Sequence, residues 1–159
     1  MSIAVGDKLP NVQAYIMGEN GPQAVDTESL FSGKKVVLFA VPGAFTPGCS
    51  LTHLPGYVVQ ADAIKAKGVD SIICLSVNDP FVMQAWGNAQ NAEHLVMLGD
   101  ADGKFTEAAG LEFDLSGAGL GVRSKRYALI AEDGMVTHMA LEPEGKITVS
   151  AAEEILAAL

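Results

Sequence analysis

The sequence predicts an α/β domain in which helices flank a mixed central sheet. Apolar segments of strand length alternate along the chain with amphipathic segments of helical length, the pattern of a layered α/β protein. Residues 35–41, KVVLFAV, are apolar on both faces, as a central strand covered by helices on each side would be. A hairpin signal near the carboxyl end adds antiparallel strands. At 159 residues, the chain fits one domain spanning residues 1–159.

The sequence pattern of the first half of the chain predicts two strands and two helices. Its first three elements are a strand, a short capped helical turn and the central strand, predicted at residues 12–17, 27–34 and 35–41. Apolar residues then recur at helical spacing over residues 46–67, and Gly68 follows as a stop. Pro55 and Gly56 interrupt this segment. They predict a kink near the first turns of one helix rather than two separate elements.

The second half continues the alternation. A strand, a helix, a strand and a short helix are predicted at residues 71–77, 78–89, 94–100 and 103–110. Asp79 should be the N-cap and Pro80 the first residue of the helix at 78–89. Residues 126–141 predict a hairpin turning at Asp133-Gly134, and Ser150 is expected to cap a last helix at 151–159. This order of elements favours a thioredoxin-like fold.

Composition excludes several classes of function. A net charge of −9, with ten Lys and Arg residues that form no run, disfavours binding to nucleic acid or to anionic membranes. No apolar run approaches the length of a membrane span, and the first residues lack a signal-peptide pattern, so we expect a cytoplasmic protein. Two cysteines without a CxxC or Cys/His cluster predict neither a disulfide framework nor a metal site.

Cys49 is the second-last residue of the segment FAVPGAFTPGCS, residues 39–50, which leads from the central strand into the next helix. In an open α/β sheet, chemistry concentrates at the carboxyl ends of strands, where helix N-termini favour anions. A helix terminus supplies only about 0.3–1 kcal/mol in typical cases, so a thiolate here should also need a nearby cation. Arg123 and Arg126 are the candidates. We favour Arg126 because the adjoining strand would hold it in place; otherwise both are solvated surface charges.

Two further loop residues suit a reactive thiol. Pro42 would shield a thiolate from bulk water, and the Thr46 hydroxyl could donate to the sulfur while accepting from a substrate hydroxyl. The alternative is that Pro42 shapes the turn and Thr46 caps the helix. Both interpretations are open from these residues taken singly.

The pattern Pro42-x-x-x-Thr46-x-x-Cys49 resembles the active-site segment of peroxiredoxins, specifically the type II group that includes peroxiredoxin 5. CLSVNDPFVMQAW and GLGVRSKRYALI resemble that group in order and spacing. The resemblance implies a thiol peroxidase that reduces hydrogen peroxide and organic hydroperoxides without a metal or organic cofactor. Cys49 would be the peroxidatic cysteine.

The resemblance also assigns the surroundings of the thiol. Thr46, Pro42 and Arg126 would orient peroxide and activate the thiolate, and the backbone N–H groups of Gly48 and Cys49 would complete the pocket. It implies a homodimer with Phe45 near both the substrate and the interface.

Cys74, 25 residues after Cys49, raises the question of the reductant. It lies inside an apolar strand, so it is expected to be a buried core thiol; resolving a Cys49 sulfenic acid would require unwinding of the first helical turns. Some members of the resembled group carry another resolving cysteine near the carboxyl end, where this chain has Val149. We therefore expect a one-cysteine cycle with glutathione and glutaredoxin; the alternative is a thioredoxin-dependent cycle with Cys74 as resolving cysteine.

The histidines separate the rival interpretations. His53, one turn after Cys49, could reach the site, but a partly exposed helix position is expected. A cysteine hydrolase would need a histidine base beside Cys49, and a redox-sensing module would oxidise without turnover. His94 and His138 are scattered at strand ends.

Packing or interface positions are expected for three larger apolar residues: Phe81, Met83 and Trp86.

Overall fold

The computed structural model describes residues 2–159, and its first half confirms the predicted alternation. The elements are β1 (Gln13–Gly18), β2 (Gly21–Asp26), α1 (Thr27–Phe31), β3 (Lys35–Ala40), a π-helical turn (Cys49–His53) and α2 (Leu54–Ala66). The second half contains β4 (Ser71–Ser76), α3 (Pro80–Ala89), β5 (Val96–Gly99), α4 (Lys104–Ala109), β6 (Glu112–Asp114), a 3₁₀ turn (Ser116–Ala118), β7 (Val122–Ser124), β8 (Tyr127–Glu132), β9 (Met135–Leu141) and α5 (Ala152–Ala158).

Seven strands form one mixed sheet in the order β2-β1-β5-β4-β3-β8-β9. The three central strands β3, β4 and β5 are parallel, whereas β1, β2, β8 and β9 pair antiparallel to their neighbours. The β6 and β7 strands form a separate two-stranded ribbon. A parallel centre with antiparallel edges is the mixed sheet that the sequence predicts.

The sheet separates two apolar cores because alternate side chains of a strand point to opposite faces. Val37 and Phe39 of β3 belong to the core that contains residues of α2, α3 and α5. Val36 and Leu38 belong to the other core, with residues of α1 and α4. Both faces of β3 are therefore covered, which explains its continuous apolar sequence.

Local signals at two turns are confirmed. The Asp79 side chain accepts a hydrogen bond from the Val82 N–H (2.9 Å), and Pro80 is the first residue of α3. Asp133 and Gly134 have φ angles of +51° and +78°, as the tight turn between β8 and β9 requires. None of the helices within residues 2–159 is long and apolar enough to cross a membrane.

Pro55 and Gly56 lie within a continuous α2, and the irregularity expected there occurs just before them as the π-helical turn. The Leu54 N–H donates to the Cys49 carbonyl, five residues back. Pro55 has no N–H to donate, and its ring would clash with the carbonyl four residues earlier in a regular helix. A wider turn ahead of proline relieves that clash.

One expectation is wrong, and three strands were not predicted. Ser150 does not cap α5: its hydroxyl and N–H donate to the Glu142 carboxylate, and Ala151 occupies the N-cap position. The β2 strand was not predicted, because most of its residues are exposed and show no apolar alternation. The short β6 and β7 strands escaped prediction for a similar reason.

Candidate active site

The loop after β3 brings Cys49 to the carboxyl edge of the sheet. Cys49 is the first residue of the π-helical turn and is fully buried. Asn78, which follows β4, fixes this loop: its side-chain oxygen accepts from the Ala44 N–H (3.0 Å) and from the Ser76 hydroxyl (2.6 Å). Adjacent parallel strands thus supply both the thiol and the anchor of its loop.

Arg126 is the arginine that reaches the thiol. Its Nη2 donates to the Cys49 Sγ at 3.2 Å. Tyr127, the first residue of β8, pairs with Ala40, the last residue of β3, so this register places Arg126 beside the strand end that leads to Cys49. The guanidinium thus places a positive charge directly beside the sulfur.

Arg123 makes different contacts. Its Nε donates to the Leu120 carbonyl (2.7 Å), and its Nη1 donates to the Pro42 carbonyl (3.4 Å). Arg123 therefore braces the loop backbone, whereas Arg126 contacts the sulfur.

His53 is buried, so the expectation of a partly exposed helix residue is wrong. Only 2% of its surface is exposed. Its Nδ1 lies 2.8 Å from Arg126 Nη1 and its Nε2 lies 3.1 Å from the Ser150 carbonyl oxygen. Because arginine only donates and a carbonyl only accepts, the neutral ring with its proton on Nε2 satisfies both contacts. Burial, and then the Arg126 charge, lower the pKa of His53 to about 4.

We predict that protonation of His53 destabilises the fold in acid. The unfolded chain binds this proton near the ordinary histidine pKa of 6.5, but the folded protein does so only near 4. Stability should therefore decrease by about 3 kcal/mol as the pH falls through this window. Urea unfolding at a series of pH values measures it. The H53Q variant, which has no ionisable ring, should show a flatter dependence; equal slopes would contradict the assignment.

Pro42, Thr46 and Gly48 lie on this loop as expected, but the Thr46 hydroxyl donates to a carbonyl rather than to the sulfur. Its hydroxyl donates to the Gly43 carbonyl (2.6 Å), so its lone pairs, and not its proton, are left for another partner. A Cβ on Gly48 would lie 3.4 Å from Arg126 Nη2 and 3.3 Å from Ile147 Cδ1. A side chain here would therefore press on Ile147 and lie in van der Waals contact with the guanidinium.

Phe45 lies at the surface of the same loop. It is 55% exposed and has a φ of +65°, and its ring centroid is 6.4 Å from that of Trp86. Trp86 is buried, as is Met83, whereas Phe81 is exposed. The Trp86 indole N–H donates to the Ser50 hydroxyl (2.9 Å), which ties α3 to the residue after Cys49.

A cavity of about 660 Å³ opens beside Arg126. Pro42 and Gly48 form part of its wall, and Phe45 is not among its lining residues. Most of the other lining side chains are apolar, among them Phe113, Leu115, Leu141, Pro143 and Ile147. The cavity thus leads from solvent to the loop and the guanidinium that contact Cys49.

Cys74 lies in the middle of β4, opposite Phe39 of β3 and Met97 of β5. It is fully buried, and both cysteines are free thiols. Burial raises the pKa of Cys74 well above its ordinary value, which makes it a poor nucleophile in this conformation. Within residues 2–159, no three His, Cys, Asp or Glu residues are grouped as a metal site.

Comparison with known proteins identifies the family. A family model described as Redoxin matches residues 4–156. Peroxiredoxin-2C of Oryza sativa subsp. japonica is 53% identical over 159 residues, which cover 99% of this chain and 98% of that protein. The chain belongs to the peroxiredoxins.

Solved structures agree with this identification. A reduced Prx3 from Vibrio vulnificus, in complex with hydrogen peroxide, superimposes on this peroxiredoxin with a TM-score of 0.95 and 56% identity, covering 98% of each chain. Peroxiredoxin 5 from Alvinella pompejana gives a TM-score of 0.85 at 37% identity, covering 98% of this chain and 97% of that one. The thioredoxin-like fold and the resemblance to the type II group are confirmed. The protein is therefore a peroxidase of the oxidoreductase class.

Proposed function

We propose that Cys49 is the peroxidatic cysteine of this peroxiredoxin. The observation that carries the proposal is the 3.2 Å contact between Arg126 Nη2 and Cys49 Sγ. The Cys49 thiolate attacks the terminal oxygen of a hydroperoxide; an S–O bond forms as the O–O bond breaks, giving a sulfenic acid. The departing alkoxide or hydroxide takes up a proton and leaves as alcohol or water. Arg126 stabilises the negative charge that moves onto oxygen.

Residues of the loop that leads to Cys49 orient the peroxide. The backbone N–H groups of Gly48 and Cys49 donate to peroxide oxygens, and Pro42 restricts access of water to the thiolate. The Thr46 hydroxyl donates its proton to the Gly43 carbonyl, so its oxygen accepts a hydrogen bond from the hydroperoxide O–H. Phe45, on the same loop, contacts the substrate from the outer rim when two chains associate.

A one-cysteine cycle with glutathione and glutaredoxin restores the thiol. One glutathione attacks the sulfenic acid to give a Cys49 mixed disulfide and water, and a second glutathione, through glutaredoxin, releases Cys49 and glutathione disulfide. Two observations support this cycle: Cys74 is fully buried inside β4, and the exposed position 149 is a valine. Direct pairing of the two cysteines would need the first helical turns to unwind.

Replacing Cys74 with serine should leave turnover with glutathione and glutaredoxin within about twofold of wild type. Peroxide consumption, followed separately with glutathione plus glutaredoxin and with thioredoxin plus its reductase, measures this. Thermal unfolding of C74S serves as the folding control, because serine places a polar group inside β4. Loss of turnover in a folded C74S would favour the thioredoxin-dependent cycle with Cys74 as resolving cysteine. Oxidation of Cys49 without turnover with either reductant would favour a redox sensor.

We further propose that the protein is a cytoplasmic homodimer. Both cysteines are free, as a reducing compartment favours. Phe45, Leu51 and Phe81 are large apolar side chains of which 55%, 78% and 62% are exposed. Covering them in a dimer would remove apolar surface from water. Sedimentation equilibrium measures the association, and a monomer at micromolar concentration would contradict it.

A further inference from the structure

Glu142, the residue after β9, is a buried carboxylate that receives an unusual number of hydrogen bonds. Only 8% of its surface is exposed. Its Oε2 accepts from the N–H groups of Thr148 and Ser150 and from the Ser150 hydroxyl, and its Oε1 accepts from the Thr148 hydroxyl. Burial alone would raise the pKa of Glu142, but the bonds from Ser150 and Thr148 outweigh it and lower the pKa to about 2. The carboxylate is therefore ionised throughout the neutral range.

These bonds fix the peptide carbonyl of Ser150, which accepts from one side chain of the π-helical turn and one of α2. The Tyr57 hydroxyl donates to it at 2.7 Å and His53 Nε2 at 3.1 Å. Each of these donors comes from a buried ring whose place is fixed by packing: Phe39 stacks on Tyr57 at 3.9 Å and tilts against His53 at 5.1 Å. Packing therefore places the imidazole, and the Ser150 carbonyl accepts from its Nε2–H, so that Nδ1 is the nitrogen that accepts from Arg126.

The hydrogen bonds close into a ring around Arg126. The Glu142 N–H donates to the Arg126 carbonyl (3.0 Å), and the Glu142 carboxylate holds Ser150 (2.6 Å to the hydroxyl). The Ser150 carbonyl holds His53, whose Nδ1 accepts from Arg126 Nη1 (2.8 Å). We call this the Glu142 ring. The ring starts at the backbone of Arg126 and returns to the guanidinium of the same residue. The other terminal nitrogen of that guanidinium, Nη2, contacts the Cys49 sulfur.

We propose that Glu142 is a positioning residue for peroxide reduction, which acts through Ser150 and His53 to hold the Arg126 guanidinium against Cys49. The proposal rests on the proposed function of Cys49 and Arg126 and extends it to Glu142, which lines the same cavity but makes no hydrogen bond to the sulfur. An arginine side chain has several rotatable bonds, so without the His53 acceptor the guanidinium would occupy several positions. Small displacements of a charge-stabilising donor reduce rates strongly.

The test compares variants that remove different bonds of the same carboxylate. E142Q keeps the volume of the side chain but turns an N–H₂ group toward donors. S150A removes one hydroxyl bond within the ring, and T148V removes one hydroxyl bond outside it. We expect E142Q to slow peroxide reduction about tenfold or more, S150A about threefold, and T148V less than twofold. The rate of Cys49 alkylation by iodoacetamide should fall in the same order.

A double-variant cycle distinguishes a positioning role of Glu142 from a purely structural one, in which its bonds to Thr148 and Ser150 only stabilise the fold. In an R126M background, E142Q should slow peroxide reduction by less than twofold, because the group that it positions is gone. The proposal is overturned if E142Q reacts within twofold of wild type, if E142Q and T148V are equally slow, or if E142Q has its full effect without Arg126. If E142Q does not fold, the comparison of S150A with T148V decides, and equal rates overturn it.

Failure of the proposed function gives a different pattern. If wild type consumes no peroxide, or if Cys49 is not the reacting residue, the peroxidase assignment fails. The role of the Glu142 ring is then still tested by comparing Cys49 alkylation among the folded variants, since this reaction needs no peroxide turnover.

Discussion

Replacing Cys49 with serine is expected to abolish peroxide reduction, a loss of about a thousandfold or more. A serine hydroxyl is not ionised near neutral pH, and oxygen does not form the sulfenic acid through which the cycle proceeds. The substitution exchanges one sulfur atom for a smaller oxygen atom at a buried position, so the fold should be retained. A stopped-flow assay of peroxide consumption by the reduced protein measures the effect.

C74S is the matched control for this experiment. Cys74 is the other cysteine of the chain and is buried in the same apolar core, so its replacement reproduces the structural disturbance without removing the proposed nucleophile. Undiminished turnover in C49S, or equal losses in both variants, would contradict the role of Cys49.

Replacing Arg126 with methionine should slow peroxide reduction by about a hundredfold. The variant retains an unbranched apolar stem but loses the donor to the Cys49 sulfur, the donor to His53 and the positive charge. The thiolate is then less favoured, and the oxygen that leaves is no longer stabilised. Both effects act in the same direction. Single-turnover oxidation by peroxide and iodoacetamide alkylation together distinguish them, because alkylation depends only on the thiolate.

R123M is the control for the loss of a positive charge and for disturbance of the loop that leads to Cys49. Arg123 lies three residues earlier and donates to the Pro42 carbonyl, but the structure gives it no hydrogen bond to the sulfur. We expect R123M to lose at most about tenfold, since only one donor to the loop backbone is removed. A larger loss in R123M than in R126M would reverse the assignment of the two arginines.

Sequence reasoning located Cys49 and Arg126 because both follow from local signals. A loop that leads from a buried strand into a helix places the thiol at the strand edge, and the need for a cation pointed to the arginine beside the next apolar strand. The antiparallel register of β3 and β8 then brings the two residues together across 77 positions. Strong periodicity and standard capping residues also predicted β3, α3 and the last hairpin.

His53 and Glu142 could not be found in this way. A histidine in a helix is usually solvated. The hydrogen-bond partners that allow His53 to be buried, Arg126 and Ser150, lie 73 and 97 residues away in the sequence. Glu142 in LEPEG has the sequence of an exposed turn. Its burial depends on donors from Thr148 and Ser150, whose positions only the folded chain determines.

Trapping the first oxidation product tests the central claim most directly. Reduced protein is treated with one equivalent of hydrogen peroxide in the presence of dimedone, which labels sulfenic acids, and the labelled peptide is identified by mass spectrometry. We predict a single adduct on Cys49 in wild type and in C74S, and its strong decrease in R126M. An adduct on Cys74, or peroxide consumption in C49S without any adduct, would contradict the assignment of Cys49 as the peroxidatic thiol.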